Sequence, residues 1–128
     1  MTETNALDKK SKTLLALCYQ ALEDTKADDI MILNVGSKSS ITNFFVLATG
    51  NSLPHLKALK RDLDVALKSN KIMVLGSDEG DYSGWSVVDA FDVMIHLFTP
   101  DTRKSYDLEA LWKDATRVER SEIFPESD

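Results

Sequence analysis

Hydrophobic residues recur every three or four positions in two stretches of the chain, which predicts two amphipathic helices. The first stretch spans residues 7–24 and the second spans residues 56–67. Ser52 has the side chain of a helix N-cap, and Pro54 suits the first turn because its missing N–H group is not needed there. A third helical region is predicted after Pro100.

Short apolar runs between these helices predict five strands. In chain order they are DDIMILNV, FFVLATG, KIMVLGS, WSVVDA and DVMIHLF. The predicted order, α-β-β-α-β-β-β-α, indicates an α/β (α+β) fold with a single mixed β-sheet of about five strands and helices packed on it. We expect one domain over residues 1–116 and a polar C-terminal tail over residues 117–128.

Composition and charge limit the classes of location and partner. No apolar run approaches the ~18 residues needed to cross a membrane, and the N-terminus lacks the apolar segment of a secretory signal. The single cysteine, Cys18, cannot form an internal disulfide, so we expect a cytoplasmic protein. The net charge of −6 disfavours binding that depends mainly on neutralising phosphates, and it suits a basic partner.

Part of this negative charge is concentrated around Trp85. Five carboxylates, and no lysine or arginine, lie between Asp78 and Asp92. Two interpretations stay open at this point. The acids could simply be exposed around a core tryptophan, or the segment could be an interface, since tryptophan is enriched in binding hot spots.

One group of residues resembles a nucleotidyltransferase site, in which a Gly-Ser turn precedes two metal-binding aspartates. Here Gly50-Asn51-Ser52 is followed by Asp62 and Asp64. Two positions along a helix rotate a side chain by about 200°, so these carboxylates are expected to face nearly opposite directions. His55 and His96 lack partners at metal-ligand spacing, and His96 is expected to be a hydrogen-bonded sheet residue. We therefore expect no catalytic residue, no metal and no cofactor.

Four segments together resemble the ribosomal silencing factor family, also called the Iojap-related family. They are DDIMILNV, KSSITNFFVLATGNS, EG...GWSVVDAFDVMIHLF and R.SYDLEALW, and they lie in consistent order over about residues 27–114. The resemblance implies a nucleotidyltransferase-like fold that lacks the catalytic acids. It also implies a non-enzymatic bacterial protein that binds the large ribosomal subunit through ribosomal protein fourteen of that subunit.

In that family the bound protein blocks joining with the small subunit by its bulk, which represses translation when nutrients are limiting. Relatives in mitochondria and chloroplasts assist assembly of the large subunit, so an assembly role is the alternative function. Residual nucleotide binding or nucleotidyl transfer is a further alternative. Little direct nucleic-acid binding and no membrane contact are expected, and two free copies could pair as a homodimer.

The resemblance also suggests which residues contact the partner. We favour Trp85, Ser86, Asp89 and Asp92 as contacts, with Glu79 and Tyr82 at the rim. Tyr106, Leu111 and Trp112 are expected to pack a helix on the sheet instead. The chain departs from the family at Asn43-Phe44, where Asp-Tyr is usual, and at Leu33-Asn34, where Leu-Asp is frequent. A functional role for charge at these two places is therefore in doubt for this protein.

Overall fold

The helices and strands lie close to the positions that the hydrophobic pattern predicts. The structure is a computed structural model, and it describes residues 9–36, 42–77, 84–90 and 92–124. The helices are α1 (Lys9–Asp24), α2 (Leu53–Ser69), α3 (Pro100–Tyr106), α4 (Leu108–Leu111) and α5 (Arg120–Ile123). The strands are β1 (Asp28–Asn34), β2 (Phe44–Thr49), β3 (Gly76–Ser77), β4 (Trp85–Asp89), β5 (Val93–Phe98) and β6 (Thr116–Val118).

The strands form one mixed sheet in the order β3-β4-β5-β2-β1-β6. β2 and β5 run parallel, and every other neighbouring pair is antiparallel. The predicted mixed sheet with helices packed on it is confirmed. Among the described residues, no helix has the length and apolar content needed to cross a bilayer.

The main core lies between the sheet and helices α1 and α2. Leucines of both helices pack there against the inward residues of the strands, such as Val46 and Ile95. Cys18 belongs to this core, and burial raises the pKa of its thiol to about 12, so the thiol is unreactive. Gly50 lets β2 end tightly against α2, since a Cβ there would lie 2.9 Å from Cδ2 of Leu56.

The start of α2 confirms the predicted cap. The Ser52 hydroxyl accepts a hydrogen bond of 3.2 Å from the backbone N–H of His55, and Pro54 occupies the first turn. Because the cap satisfies one of the unpaired N–H groups, it fixes the point at which the chain leaves the Gly-Asn-Ser turn.

Two segments differ from the prediction. Only Gly76–Ser77 of the predicted third strand pairs in the sheet, and residues 72–75 precede it without regular structure. The domain also continues past residue 116 into the expected tail, because Val118 pairs with Ile32 in the sheet and Ile123 is buried in the main core. This segment is mostly polar and its described charged residues are exposed to solvent, but Val118 and Ile123 are apolar and buried.

Candidate partner-binding surface

The sheet face opposite α1 and α2 is only partly covered. Strand side chains alternate between faces, so the paired residues Trp85 and Phe98, Val87 and His96, and Asp89 and Met94 all lie on this face. Leu108 and Trp112, from α4 and its C-cap, pack over a second apolar cluster that includes Leu33 and Phe45. Nearer the β3 edge, Trp85, Val87, Asp89 and Met94 stay partly accessible. We call these four residues, together with Tyr106, the β4–β5 face.

Trp85 is held in place while part of its ring stays accessible. Its ring stacks on Phe98 with centroids 5.2 Å apart and meets Tyr106 at 4.5 Å. Its indole Nε1–H donates a 3.1 Å hydrogen bond to Nδ1 of His96. Trp85 is therefore both a member of the second cluster and a surface residue. An aromatic side chain fixed in this way loses little conformational entropy on binding.

His96 is the buried partner that orients Trp85. Because its Nδ1 accepts from the indole, the neutral ring carries its proton on Nε2, which is buried without a hydrogen-bond partner among the described residues. Burial lowers the pKa of His96 from 6.5 to about 4. The predicted hydrogen-bonded sheet histidine is confirmed, and at neutral pH it is uncharged.

Acidification should therefore destabilise the fold through His96. The lowered pKa means that the unfolded chain binds the proton more readily, so this contribution is complete above pH 6.5 and is lost as the pH falls toward 4. By pH 5 the loss is about 2 kcal/mol of unfolding free energy. Urea unfolding at pH 8 and pH 5 measures it. His96→Gln should show a smaller drop between the two pH values, and an equal drop in both proteins would contradict the assignment.

Two of the predicted contact acids are described in the structure. Asp89 lies four residues along β4 from Trp85, roughly 13 Å away on the same face, and is half-buried. Asp92 precedes β5, and its carboxylate accepts a 3.1 Å hydrogen bond from Nδ2 of Asn43. The aspartate that is usual in the family at residue 43 would place a second negative charge beside Asp92. The asparagine found here donates a hydrogen bond to Asp92 instead. Glu79 and Tyr82 lie outside the described residues.

Ser86 lies on the opposite sheet face from Trp85 and Asp89. It pairs with Leu97, lies on the α2 side of β4, and is 8% exposed. Since neighbouring strand residues point to opposite faces, the Ser86 side chain is not part of the β4–β5 face. Val87 and Met94, which the sequence analysis did not single out, take its place on the face.

The residues expected to pack a helix on the sheet divide into two roles. Trp112 meets the ring of Phe45 edge-on, with centroids 5.2 Å apart, and packs as predicted. Tyr106 is 58% exposed and contacts Trp85, so it extends the accessible aromatic surface rather than filling the core. The side chain of Leu111 lies outside the described part of the structure.

Arg103 attaches α3 and α4 to the sheet, a role that the sequence analysis missed. Its guanidinium makes two bonds to the Glu109 carboxylate, at 3.2 and 3.0 Å. It also donates to the carbonyl of Asp29 at 2.7 Å and to the hydroxyl of Thr49 at 2.9 Å. Arg103 is 9% exposed, so the guanidinium itself is buried, while the Glu109 side chain is partly exposed. It holds the segment that places Tyr106 beside Trp85.

The residues that resemble a nucleotidyltransferase site are separated in the structure. The Thr25 hydroxyl donates a 2.8 Å hydrogen bond to Asp62, which lowers the pKa of that carboxyl, whereas Asp64 forms an ion pair with Lys68 at 3.1 Å. His55 connects the Asn51 N–H and the carbonyl of Thr25 through its two ring nitrogens. Across the described ranges, no group of three or more histidine, cysteine or acidic residues could hold a metal ion.

Comparison with known proteins gives matches over most of the chain. A family model described as "Ribosomal silencing factor during starvation" matches residues 8–128. A Chromobacterium violaceum protein named ribosomal silencing factor RsfS is 38% identical over 96 residues, which are 75% of this chain and 79% of that protein. An X-ray crystal structure of a protein from Chromobacterium violaceum has a TM-score of 0.77 at 36% identity, covering 80% of this chain and 85% of that chain. The Mus musculus protein named mitochondrial assembly of ribosomal large subunit protein 1 is 34% identical over 97 residues, 71% of this chain and 41% of that protein.

The family match includes the segments that build the β4–β5 face and its supporting network. The family model spans α1 through α5, and the solved structure shares the arrangement of the sheet and helices at more than a third identity. Sequence and fold therefore lead to the same assignment: the chain belongs to the ribosomal silencing factor family.

Proposed function

We propose that this protein binds the large ribosomal subunit with its β4–β5 face, chiefly through ribosomal protein fourteen, and blocks joining with the small subunit by its bulk. The observation that carries the proposal is Trp85, held by Phe98 and His96 yet partly accessible on an open sheet face. Hot spots of protein interfaces are typically aromatic side chains of this kind, surrounded by a polar rim.

Charge supports a basic partner for this face. The chain carries a net charge of −6, and Asp89 lies on the same face as Trp85. Complementary fields raise association rates and fix orientation, while the buried aromatic contacts slow dissociation. A standard interface of roughly 800 Å² per partner fits on one such face.

The proposed mechanism is that the protein occupies a surface of the large subunit and catalyses no reaction. The acids that resemble a metal site lie on opposite flanks of α2, and each already has its own partner. A rigid domain bound at the surface that meets the small subunit excludes that subunit sterically. Binding of this kind in the bacterial cytoplasm would lower translation in proportion to the fraction of large subunits occupied.

The proposal is tested by sedimenting purified large and small subunits in a gradient at a magnesium concentration that favours joining, with and without the protein. We expect the joined-ribosome peak to decrease and the protein to migrate with large subunits. A full joined peak with the protein left at the top of the gradient would refute the proposal.

An assembly role is the second candidate, and the name of the mouse relative favours it. The same gradients separate the two functions, because an assembly factor that does not silence would migrate with large subunits while the joined peak stays full. Two free copies could also pair through the β4–β5 face. In that case dimerisation would compete with subunit binding, and concentration-dependent sedimentation of the free protein would detect it.

A further inference from the structure

The first turn of α3 is attached to the residue that precedes Trp85. The backbone N–H of Thr99 donates a 2.9 Å hydrogen bond to the carbonyl of Gly84, which continues the pairing of Trp85 with Phe98 by one step. Thr99 is also the N-cap residue of α3, and its hydroxyl is hydrogen-bonded to that of Thr102 at 2.9 Å. We call Gly84, Thr99 and Thr102 the α3 joint.

The α3 joint is closely packed around residue 84. Gly84 is buried and has a backbone φ of +90°, a conformation that glycine adopts readily and residues with a Cβ adopt rarely. A Cβ at this residue would lie 2.6 Å from Oγ1 of Thr102 and 2.7 Å from Oγ1 of Thr99. Both distances are shorter than van der Waals contact, so a larger residue would displace the first turn of α3 or the start of β4.

Helical spacing makes the position of Tyr106 depend on this joint. Thr102 and Tyr106 are four residues apart in α3, so they lie on the same side of the helix. Thr102 lies against Gly84, and one turn further along Tyr106 lies against the next strand residue, Trp85, with ring centroids 4.5 Å apart. Between them, Arg103 holds the same helix to β1 and β2. A shift of the first turn would therefore shift the Tyr106 ring.

We infer that the α3 joint positions Tyr106 beside Trp85, and that the two rings bind the ribosomal partner as one unit. This inference rests on the proposed function and deepens it, because it extends the main contact from one side chain of β4 to a pair on two elements. Tyr106 is 58% exposed at the last position of a seven-residue helix. A ring that is already held against Trp85 loses less conformational freedom on binding than a free one. Gly84 is buried, so the joint acts through Tyr106.

The test is a double-mutant cycle for binding to purified large subunits. Gly84→Ala disturbs the joint from the strand, and Thr102→Leu disturbs it from the helix without straining the backbone at residue 84. Tyr106→Leu removes the second ring and keeps a residue that is compatible with helix. Each joint variant is also combined with Tyr106→Leu. Thermal unfolding shows which variants fold, and Thr102→Leu decides the test if Gly84→Ala does not fold.

We expect each single variant to bind about tenfold more weakly than the parent, because each removes or displaces one ring of the pair. A joint variant combined with Tyr106→Leu should lose less than about twofold more than Tyr106→Leu alone, since both changes act on the same contact. Ile32→Val is the control for lost stability, because it trims a buried side chain of the main core. When folded, it should bind like the parent.

Three results would overturn the inference and leave the proposed function standing. They are parental binding by Tyr106→Leu, parental binding by a folded joint variant, and losses that multiply in the combined variants. Failure of the parent itself to bind large subunits would overturn both.

Nuclear magnetic resonance of the free proteins gives a readout that lost stability alone does not change. The ring protons of Trp85 and Tyr106 should give strong nuclear Overhauser cross-peaks in the parent and in Ile32→Val, because the ring centroids are 4.5 Å apart. These cross-peaks should be much weaker in folded Gly84→Ala and Thr102→Leu. Unchanged cross-peaks in a joint variant that binds weakly would mean that the joint does not position Tyr106, which would overturn the inference.

Discussion

Replacing Trp85 with alanine is expected to weaken binding to the large ribosomal subunit by about 2–4 kcal/mol, which is at least 30-fold in the dissociation constant. The indole is already positioned by Phe98, Tyr106 and the hydrogen bond to His96, so the parent loses little entropy when its accessible edge is buried. Binding of labelled protein to purified large subunits measures the change.

The same substitution also removes packing within the second cluster, so a loss of binding has to be separated from a loss of folding. Asp89→Lys serves this purpose, because it reverses a charge on the same face without disturbing the stacked rings. It should slow association and weaken binding while leaving the unfolding temperature within a few degrees of the parent. Asp24→Lys is the matched control, since Asp24 lies at the end of α1 on the opposite side of the sheet.

The outcome that contradicts the proposed face is specific. If folded Trp85→Ala and Asp89→Lys both bind large subunits as tightly as the Asp24→Lys control, the β4–β5 face is not the contact surface. Loss of binding in Trp85→Ala alone, together with a large drop in its unfolding temperature, would show that the tryptophan acts through packing.

Most of the fold could be predicted because the patterns that indicate its helices and strands each depend on residues close together in the sequence. The period of three to four in α2, the Ser52 cap and the apolar runs of β1, β2 and β5 each depend on a few neighbouring residues. The third strand was predicted too long because its chain meets β4 only near Leu75, whose N–H bonds the carbonyl of Asp89, and regular pairing begins at Gly76. The C-terminal segment was predicted to be a tail because Val118 and Ile123 are isolated apolar residues, and only the completed core shows where they fit.

Only part of the candidate surface could be predicted, because which residues share it depends on strand alternation and on tertiary packing. Trp85 and Asp89 share a face because they are separated by an even number of strand positions, whereas Ser86 falls on the other face. Because of that alternation, consecutive residues of β4 cannot all contribute side chains to one surface. The position of Tyr106 depends on how α3 lies over the sheet, and the network of Arg103 joins residues up to 74 positions apart. No periodicity in the sequence carries that information.

The Arg103 network leads to the second large prediction. Arg103→Met should lower the free energy of unfolding by about 3 kcal/mol, measured by urea denaturation at neutral pH. The substitution keeps much of the side-chain volume but leaves the Glu109 carboxylate, the Asp29 carbonyl and the Thr49 hydroxyl without their donor. The expected loss is at the low end for a buried pair because the Glu109 side chain is 34% exposed, so water solvates part of its charge.

Lys68→Met is the matched control for a lost ion pair. Lys68 bonds Asp64 at 3.1 Å with its own side chain 69% exposed, so its removal should cost less than about 0.5 kcal/mol. Arg103→Lys adds a test of geometry, because a single ammonium group cannot reproduce the paired bonds to Glu109 and the bonds to two further acceptors. It should recover little of the lost stability. Full recovery would mean that Arg103 acts as a charge alone, and the positioning of Tyr106 beside Trp85 would then require another explanation.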